Sequence, residues 1–231
     1  MVLKWQTKRI LLIINSDFYG FCIEHKINKK LKHSYISISP TDKKVVVKTP
    51  LVGDQYIKDL LREKKGWLQK QILKISQNSP KSIELKKEVF LFGKIYSIED
   101  EQVKELKKCL DNLSTDEEQE ILKCYDDFYM YKAKIYLPQV LDMFAKVMNV
   151  NFNELKIKKL KSRWGSCSSK KTITLNSQLL KAPPESIEYV VVHELAHLVY
   201  MNHSKKFHQL IESYLPKAKE SKQKLKYIYL K

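Results

Sequence analysis

Two apolar patterns run along the chain, and they occupy different halves. In the front half the apolar positions come in short runs: Arg9–Asn15, Phe18–His25, Ser34–Ser39 and Val45–Val47. β-Branched and aromatic residues dominate these runs, which is strand composition. Ser39-Pro40-Thr41-Asp42 is a turn signal, so 34–48 is predicted to form a hairpin. Asp54 then stands where a helix cap belongs. Ile57, Leu60, Leu61, Trp67, Leu68 and Ile72 make the helical stripe behind it, loosened by Gly66 and ended by Asn78-Ser79-Pro80. Val89–Phe92, Gly93 and Ile95–Ile98 predict one more strand pair.

The back half is dominated by helical spacing. Ser114 and Glu117 stand at capping-box separation. A long helical pattern follows to about Tyr136, is expected to break or kink at Pro138, and resumes to Met148. Leu155–Trp164 and Thr172–Leu175 read as two strands joined by a turn at Ser168-Ser169-Lys170-Lys171. Pro183-Pro184 introduces a very apolar helix, with Pro184 suited to its first position. No internal repeat is evident. The elements amount to an α+β protein, strand-rich in front and helical behind.

Charge supplies the expected boundaries. The 231 residues carry 43 Lys and Arg against 26 Asp and Glu, a net +17. Residues 1–98 are net +12, 99–120 net −6 and 121–231 net +11. This predicts an N-terminal lobe over 1–98, an acidic connector over 99–120 and a second lobe over 121–231. So large a positive charge points first to nucleic acid or an anionic membrane. Only Arg9, Arg62 and Arg163 are arginines, however, and base readout and bidentate phosphate contacts favour arginine. The lysines read mainly as a solvated coat, with weak polyanion binding the most they imply.

The longest apolar run near the start, Ile10–Ile14, is too short for a membrane span of about 20 residues or a signal core of roughly 7–15. The expectation is a soluble, cytoplasmic protein with no membrane partner. Cys22, Cys109, Cys124 and Cys167 are widely spaced and form no C-x-x-C pair. That argues against a disulfide framework or a cysteine zinc site, and each is expected to be a small buried hydrophobe.

The chemistry lies on the apolar helix. His193-Glu194-x-x-His197 puts two imidazoles four residues apart, on one helical face, where they can converge on one metal ion. Glu194 projects from the adjacent arc and reaches a metal-bound water rather than the metal. His203 follows six residues after His197 and serves as a third ligand only if the helix ends before it. Asn202 suits a left-handed exit, and Ser204 suits the cap of the next helix. Phe207, Leu210, Ile211 and Tyr214 would dock that helix on the first. The alternative is a buried histidine pair with a satisfied glutamate, but an apolar helix needs a strong reason to carry two histidines and a carboxylate on one arc. Glu212 is a rival ligand that reads better as a surface residue, and His208 reads as packing or as a neighbour of the ligands.

Arg163-Trp164-Gly165-Ser166-Cys167, Ile173-Thr174-Leu175-Asn176, the His193–His197 motif and Asn202-His203-Ser204-Lys205-Lys206-Phe207 together resemble the YgjP-like zinc metallopeptidase family, related to the WLM and SprT-type zincins. The resemblance is dense from about Tyr125 to Leu225 and weaker from Lys26 to Ile98. It implies a zincin-like metallopeptidase lobe, with an active-site helix packed on a small sheet, preceded by the strand-rich N-terminal lobe. It also implies Zn2+ held by His193, His197 and His203, with Glu194 as the catalytic carboxylate. Three departures stand out: His208 replaces a tryptophan common in the family, 99–113 looks helical rather than stranded, and the first 20 residues match poorly.

The expected function is zinc-dependent hydrolysis of peptide bonds through a metal-bound water, with Glu194 moving the proton. A peptide or protein substrate would lie as an added strand along Thr172–Leu175 or Ser162–Cys167. Tyr200, His208 and Arg163 are candidates for stabilising the oxyanion. Within the Arg163–Cys167 motif the structural reading is stronger: glycine for close approach, tryptophan for core, cysteine buried. Two other functions compete. One is a nucleic-acid- or ribosome-associated metalloprotease recruited by its basic surface. The other is a non-catalytic module stapled by zinc, for which Glu194 has no use.

Overall fold

Alternating burial builds the first sheet. Its strands are Lys8–Arg9 (β1), Cys22–Ile27 (β2), Tyr35–Ser39 (β3) and Lys44–Thr49 (β4), in the order β1-β2-β4-β3. β3 and β4 form the predicted antiparallel hairpin, while β2 runs parallel to β4 on its other side. Ile23, Val45 and Val47 point to one face, and the helix Asp54–Asn78 (α1) covers that face with Ile57, Leu61, Leu68 and Ile72. Asp54 is the acidic residue of the first turn, favourable toward the helix dipole, rather than a preceding cap. Trp67 departs from the predicted stripe and is exposed, because it lies one residue, about 100°, from the fully buried Leu68.

The computed structural model describes residues 8–9, 21–39, 44–78, 83–226 and 228, and the chain divides into units Met1–Ser79 and Pro80–Lys231. The turn at 40–43 and most of the predicted strands at 9–15 and 18–20 lie outside the described residues. The division comes earlier than the charge pattern implied, and hydrogen bonds explain why. Glu88–Leu91 (β5) and Lys94–Ser97 (β6) form a hairpin whose tip is tied into the second unit: Phe92 N donates to Leu180 O at 2.8 Å and Gly93 N to Lys181 O at 3.1 Å. Tyr125 and Tyr129 donate their hydroxyls to the carbonyls of Glu88 and Phe90.

The acidic stretch likewise folds into the second unit instead of linking two lobes. A 3-10 turn at Glu101–Val103 leads into Lys104–Asp111 (α2), and Val103, Leu106 and Leu110 are buried in the unit's core. Its charges face solvent while its apolar positions, three to four apart, face inward. The core continues through the long helix Glu118–Val147 (α3), which begins after Glu117 without a side-chain cap, so the Ser114–Glu117 capping box does not form. α3 also runs through Pro138 without a break. The carbonyl that Pro138 cannot bond belongs to Lys134, which is exposed to water, and Ala133, Leu137, Val140 and Leu141 anchor the helix on both sides.

α2 and α3 pack with Cys109 and Cys124 at a Cα separation of 5.7 Å, joined by a disulfide. This corrects the expectation for the cysteines: these two are bonded, Cys22 is exposed and Cys167 half-buried. Their sequence spacing of 15 carried no sign of it, since the pairing arises from helix packing.

The second sheet positions the site. Glu154–Lys158 (β7), Gly165–Cys167 (β8) and Thr172–Asn176 (β9) pair in the order β7-β9-β8, with β9 central, parallel to β7 and antiparallel to β8. The predicted strand over 155–164 thus ends early, and the hairpin partner of β9 is the three-residue β8, too short for its alternation to show. Pro184–Ala196 (α4) starts with Pro184 in its first turn, as predicted, and buries Ile187, Val190, Val191, Val192 and Leu195. Lys205–Tyr214 (α5) and Ala218–Leu225 (α6) complete the unit. Among the described residues no helix is long and apolar enough to cross a membrane.

Candidate metal centre and active site

α4 ends one residue before His197, and the chain tightens rather than turning left-handed. Leu198 N donates to Leu195 O, and Val199 N and Tyr200 N donate to Ala196 O. Asn202 has no positive φ, so the expected left-handed exit is not used. Ser204 caps α5 as predicted, accepting from Phe207 N at 3.4 Å. The turn between the two helices carries His203 back over the last turn of α4.

The three histidines of the motif meet there. One ring nitrogen from each of His193, His197 and His203 lies within 4.8 Å of the others, and His193 Nε2 and His203 Nε2 are 3.2 Å apart. Nitrogens at about 2.05 Å from one tetrahedral zinc ion stand about 3.3 Å apart, so the closest pair already has ligand spacing. His197 Nδ1 donates to Tyr200 O at 3.2 Å, which fixes its tautomer and leaves Nε2 with its lone pair. His193 Nδ1 is buried and has no hydrogen-bond partner among the described residues. Burial, then the neighbouring His197, His203, Lys222 and His208, pushes His193 down to about 3, and burial also lowers His197. Both rings are therefore neutral at physiological pH. Three imidazoles facing one another form a nitrogen donor set that fits zinc.

Phe207 forms the floor of the cluster. Fully buried, it places its ring 4.6 to 5.0 Å from all three imidazoles. The sequence showed it only as a docking residue of α5; its position four residues after His203 is the signal that its ring lies beneath the histidines.

Glu194 is 5% exposed and stays out of the histidine group. Its environment comes from β8. A Cβ on Gly165 would lie 2.7 Å from Glu194 Oε1, 2.8 Å from Cγ and 3.0 Å from Cδ, so only glycine leaves room for this carboxylate. The expected close-approach role of the motif glycine is met, with Glu194 as what it approaches. Burial raises Glu194 to about 7, opposed by the charge of Arg163. Cys167 is half-buried, its thiol pushed up by burial and by Glu194. Trp164 packs on the core.

Asn176, to which the sequence alone assigns no role, organises the approach to β8. It is fully buried; its Nδ2 donates to Leu160 O and Arg163 O, both at 2.9 Å, and its Oδ1 accepts from Leu160 N and Gln178 N. The 160–163 loop is thereby anchored just ahead of Gly165. Of the remaining candidates, Glu212 ion-pairs Lys219 at 3.0 Å, as a surface glutamate would. His208 is exposed, its ring stacked 6.3 Å from that of His203. Tyr200 contributes its backbone carbonyl to the centre.

A family model described as YgjP-like, metallopeptidase domain matches residues 32–228. Part of the chain is similar to two solved archaeal structures. The metallopeptidase zymogen jannalysin of Methanocaldococcus jannaschii is 26% identical, with a TM-score of 0.35, over 38% of this chain and 92% of that one. The metallopeptidase zymogen abylysin of Pyrococcus abyssi is 27% identical, with a TM-score of 0.36, over 38% and 90%. No curated protein matches the chain.

Proposed function

Because the chain belongs to the YgjP-like metallopeptidase family, we propose that it is a zinc-dependent peptidase in which His193, His197 and His203 hold the ion and Glu194 is the catalytic carboxylate. Zinc bound there supplies Lewis acidity toward a water and a scissile carbonyl. Glu194 handles the proton, taking it from the nucleophile and delivering it to the leaving amine. Its burial raises it above a surface carboxylate, which makes it the better base.

Substrate placement follows from the sheet. β9 is paired on both sides, which removes it as an edge for an added strand. β8 is an edge strand, and its Gly165 touches Glu194, so a peptide paired along β8 would present its backbone beside that carboxylate.

The observation that carries this reading is the position of Glu194: buried, backed by Gly165 and adjacent in sequence to the first histidine, yet outside the ligand group. A zinc ion that only stapled the fold would recruit a fourth protein ligand and would not keep such a carboxylate. The test is Glu194→Gln, assayed on a proteome-derived peptide library with metal content measured in parallel. Zinc is expected at one per chain in both proteins, with hydrolysis reduced at least about 100-fold in the variant. Equal cleavage by the variant would overturn the mechanism. A cytoplasmic setting is part of the proposal, and in that compartment Cys109 and Cys124 are expected to be held as thiols.

A further inference from the structure

The first unit carries a cationic face that the peptidase site does not use. Residues 1–79 hold 16 Lys and Arg against 6 Asp and Glu, a net +10 in about a third of the chain. The sheet register gathers part of this charge. Tyr35 on β3 is directly opposite Lys48 on β4, and Lys48 is opposite Lys26 on β2. Residues opposite one another share a face, and this row lies on the face away from α1. The loop joining β2 to β3 extends the row at the same end of the sheet with Lys29, Lys30, Lys32 and His33, all exposed.

That loop has a defined shape. Asn28 N donates to Thr49 O at 2.9 Å, Leu31 N to Asn28 O at 3.0 Å and Lys30 N to Asn28 Oδ1 at 3.0 Å. Lys29, Lys30, Lys32 and Lys48 have no carboxylate partner among the described residues. Glu24, two residues along β2, ion-pairs Lys26 at 3.4 Å and offsets one charge. One aromatic ring lies beside the cations: Tyr35, 53% exposed and directly opposite Lys48.

We infer that this face, formed by the 28–34 loop, Tyr35, Lys48 and Lys26, binds single-stranded nucleic acid. Closely spaced ammonium groups track a phosphate backbone, and an exposed ring offers a stacking surface to unpaired bases. Lysine acts as a point charge without arginine's bidentate fork, so the binding is sequence-tolerant. Duplex is the poorer ligand, because its base faces are already stacked.

The test uses the full chain and a fluorescein-labelled oligouridylate of about 20 nucleotides, followed by anisotropy across a salt series. Lys29→Glu/Lys30→Glu/Lys32→Glu is compared with a charge-matched control, Lys108→Glu/Lys134→Glu/Lys146→Glu, made at exposed positions of the second unit. Each phosphate contact contributes about −0.7 to the slope of log K against log salt, so the loop variant should flatten the slope by about 2 and bind at least tenfold more weakly at about 50 mM salt. The control should stay close to wild type. Tyr35→Ala should weaken binding by about fivefold or more with little change in slope, because stacking is not a counterion effect. Circular dichroism establishes that each variant is folded, and Glu194→Gln should bind as wild type does, which separates this face from the peptidase reading. The inference is overturned if wild type does not bind at low salt, if the control loses as much as the loop variant, or if Tyr35→Ala and duplex RNA both bind like wild type with the single strand. Loop-dependent capture by phosphatidylserine vesicles without oligonucleotide binding would overturn it in favour of a membrane surface.

Discussion

Gly165→Ala isolates the contact between β8 and the Glu194 carboxylate. Gly165 has no positive φ, so alanine is acceptable to the backbone and the only penalty is the new methyl group. That methyl would meet Glu194 Oε1 at 2.7 Å, whereas ordinary contact begins at 3.4 Å, so the carboxylate must move by about 0.7 Å or β8 must shift by a similar amount. A glutamate in water would swing aside at little cost. Glu194 is 5% exposed, so the displacement meets resistance typical of overpacking, about 1–3 kcal/mol of stability. The three atoms nearest the new methyl all belong to Glu194 and none to a histidine, so zinc content should be unchanged. Displacing a catalytic group by close to 1 Å costs on the order of 100-fold in rate. Peptide hydrolysis measured as kcat and KM separately, beside zinc per chain and urea unfolding, therefore has a distinct expected pattern: kcat falls about 30- to 100-fold, KM changes little, and metal is retained. A Gly165→Ala enzyme with wild-type kcat would refute the idea that this glycine sets the position of Glu194. Loss of zinc in the variant would show instead that β8 supports the histidine cluster.

Two further outcomes follow from groups away from the centre. Lys181, with its Nζ 5.1 Å over the Tyr129 ring, is pushed down to about 8 from 10.5, first by burial, with Asp126 opposing and Lys159 adding to the shift. Between those two values the unfolded chain binds the extra proton and the folded chain does not, so this group's contribution to stability rises with pH, by about 3 kcal/mol at most, and is smallest below pH 8. Urea unfolding from pH 7 to 10 should show wild type gaining on Lys181→Met by that amount, and parallel curves would count against a buried ammonium. Cys109 and Cys124 close a loop of 15 residues, so reduction or Cys109→Ser/Cys124→Ser should lower stability by about 3 kcal/mol. Thiol titration of air-oxidised protein in urea should find Cys22 and Cys167 alone, and four reactive thiols there would show that the pair does not form.

What the sequence disclosed and what it withheld divide along a physical line. Periodicity and local chemistry are written into consecutive residues, so the β3–β4 hairpin, the α1 stripe, Pro184 at the start of α4 and the Ser204 cap were all legible. The convergence of three histidines was legible for the same reason, because both the four-residue step and the turn before His203 are local. Misreadings arose where a local rule met a tertiary constraint. Pro138 sits inside a continuous helix because Lys134, whose carbonyl it leaves unbonded, is an exposed residue and the flanking turns are buried. The acidic stretch of 99–120 looked like a connector because charge reports the solvent side of a helix and is silent about Val103, Leu106 and Leu110 on the other side. Asn202 was given the helix exit that a tightened last turn performs instead.

The contacts that shape the site are the least local of all. Gly165 and Glu194, Asn176 and the 160–163 loop, and Phe207 beneath three imidazoles each join segments that no single window of sequence contains. In each pair one member is identifiable from its own chemistry, the histidine or the glutamate, while the other is a small, amide or apolar residue whose local role is generic. A metal-binding motif therefore locates a site from sequence alone, but the residues that give the carboxylate its burial, its basicity and its fixed position are found only when the sheet edge is brought against the helix. For this chain that supporting role belongs to the Arg163–Cys167 motif, and its density of small residues follows from the need to bring β8 within contact of Glu194.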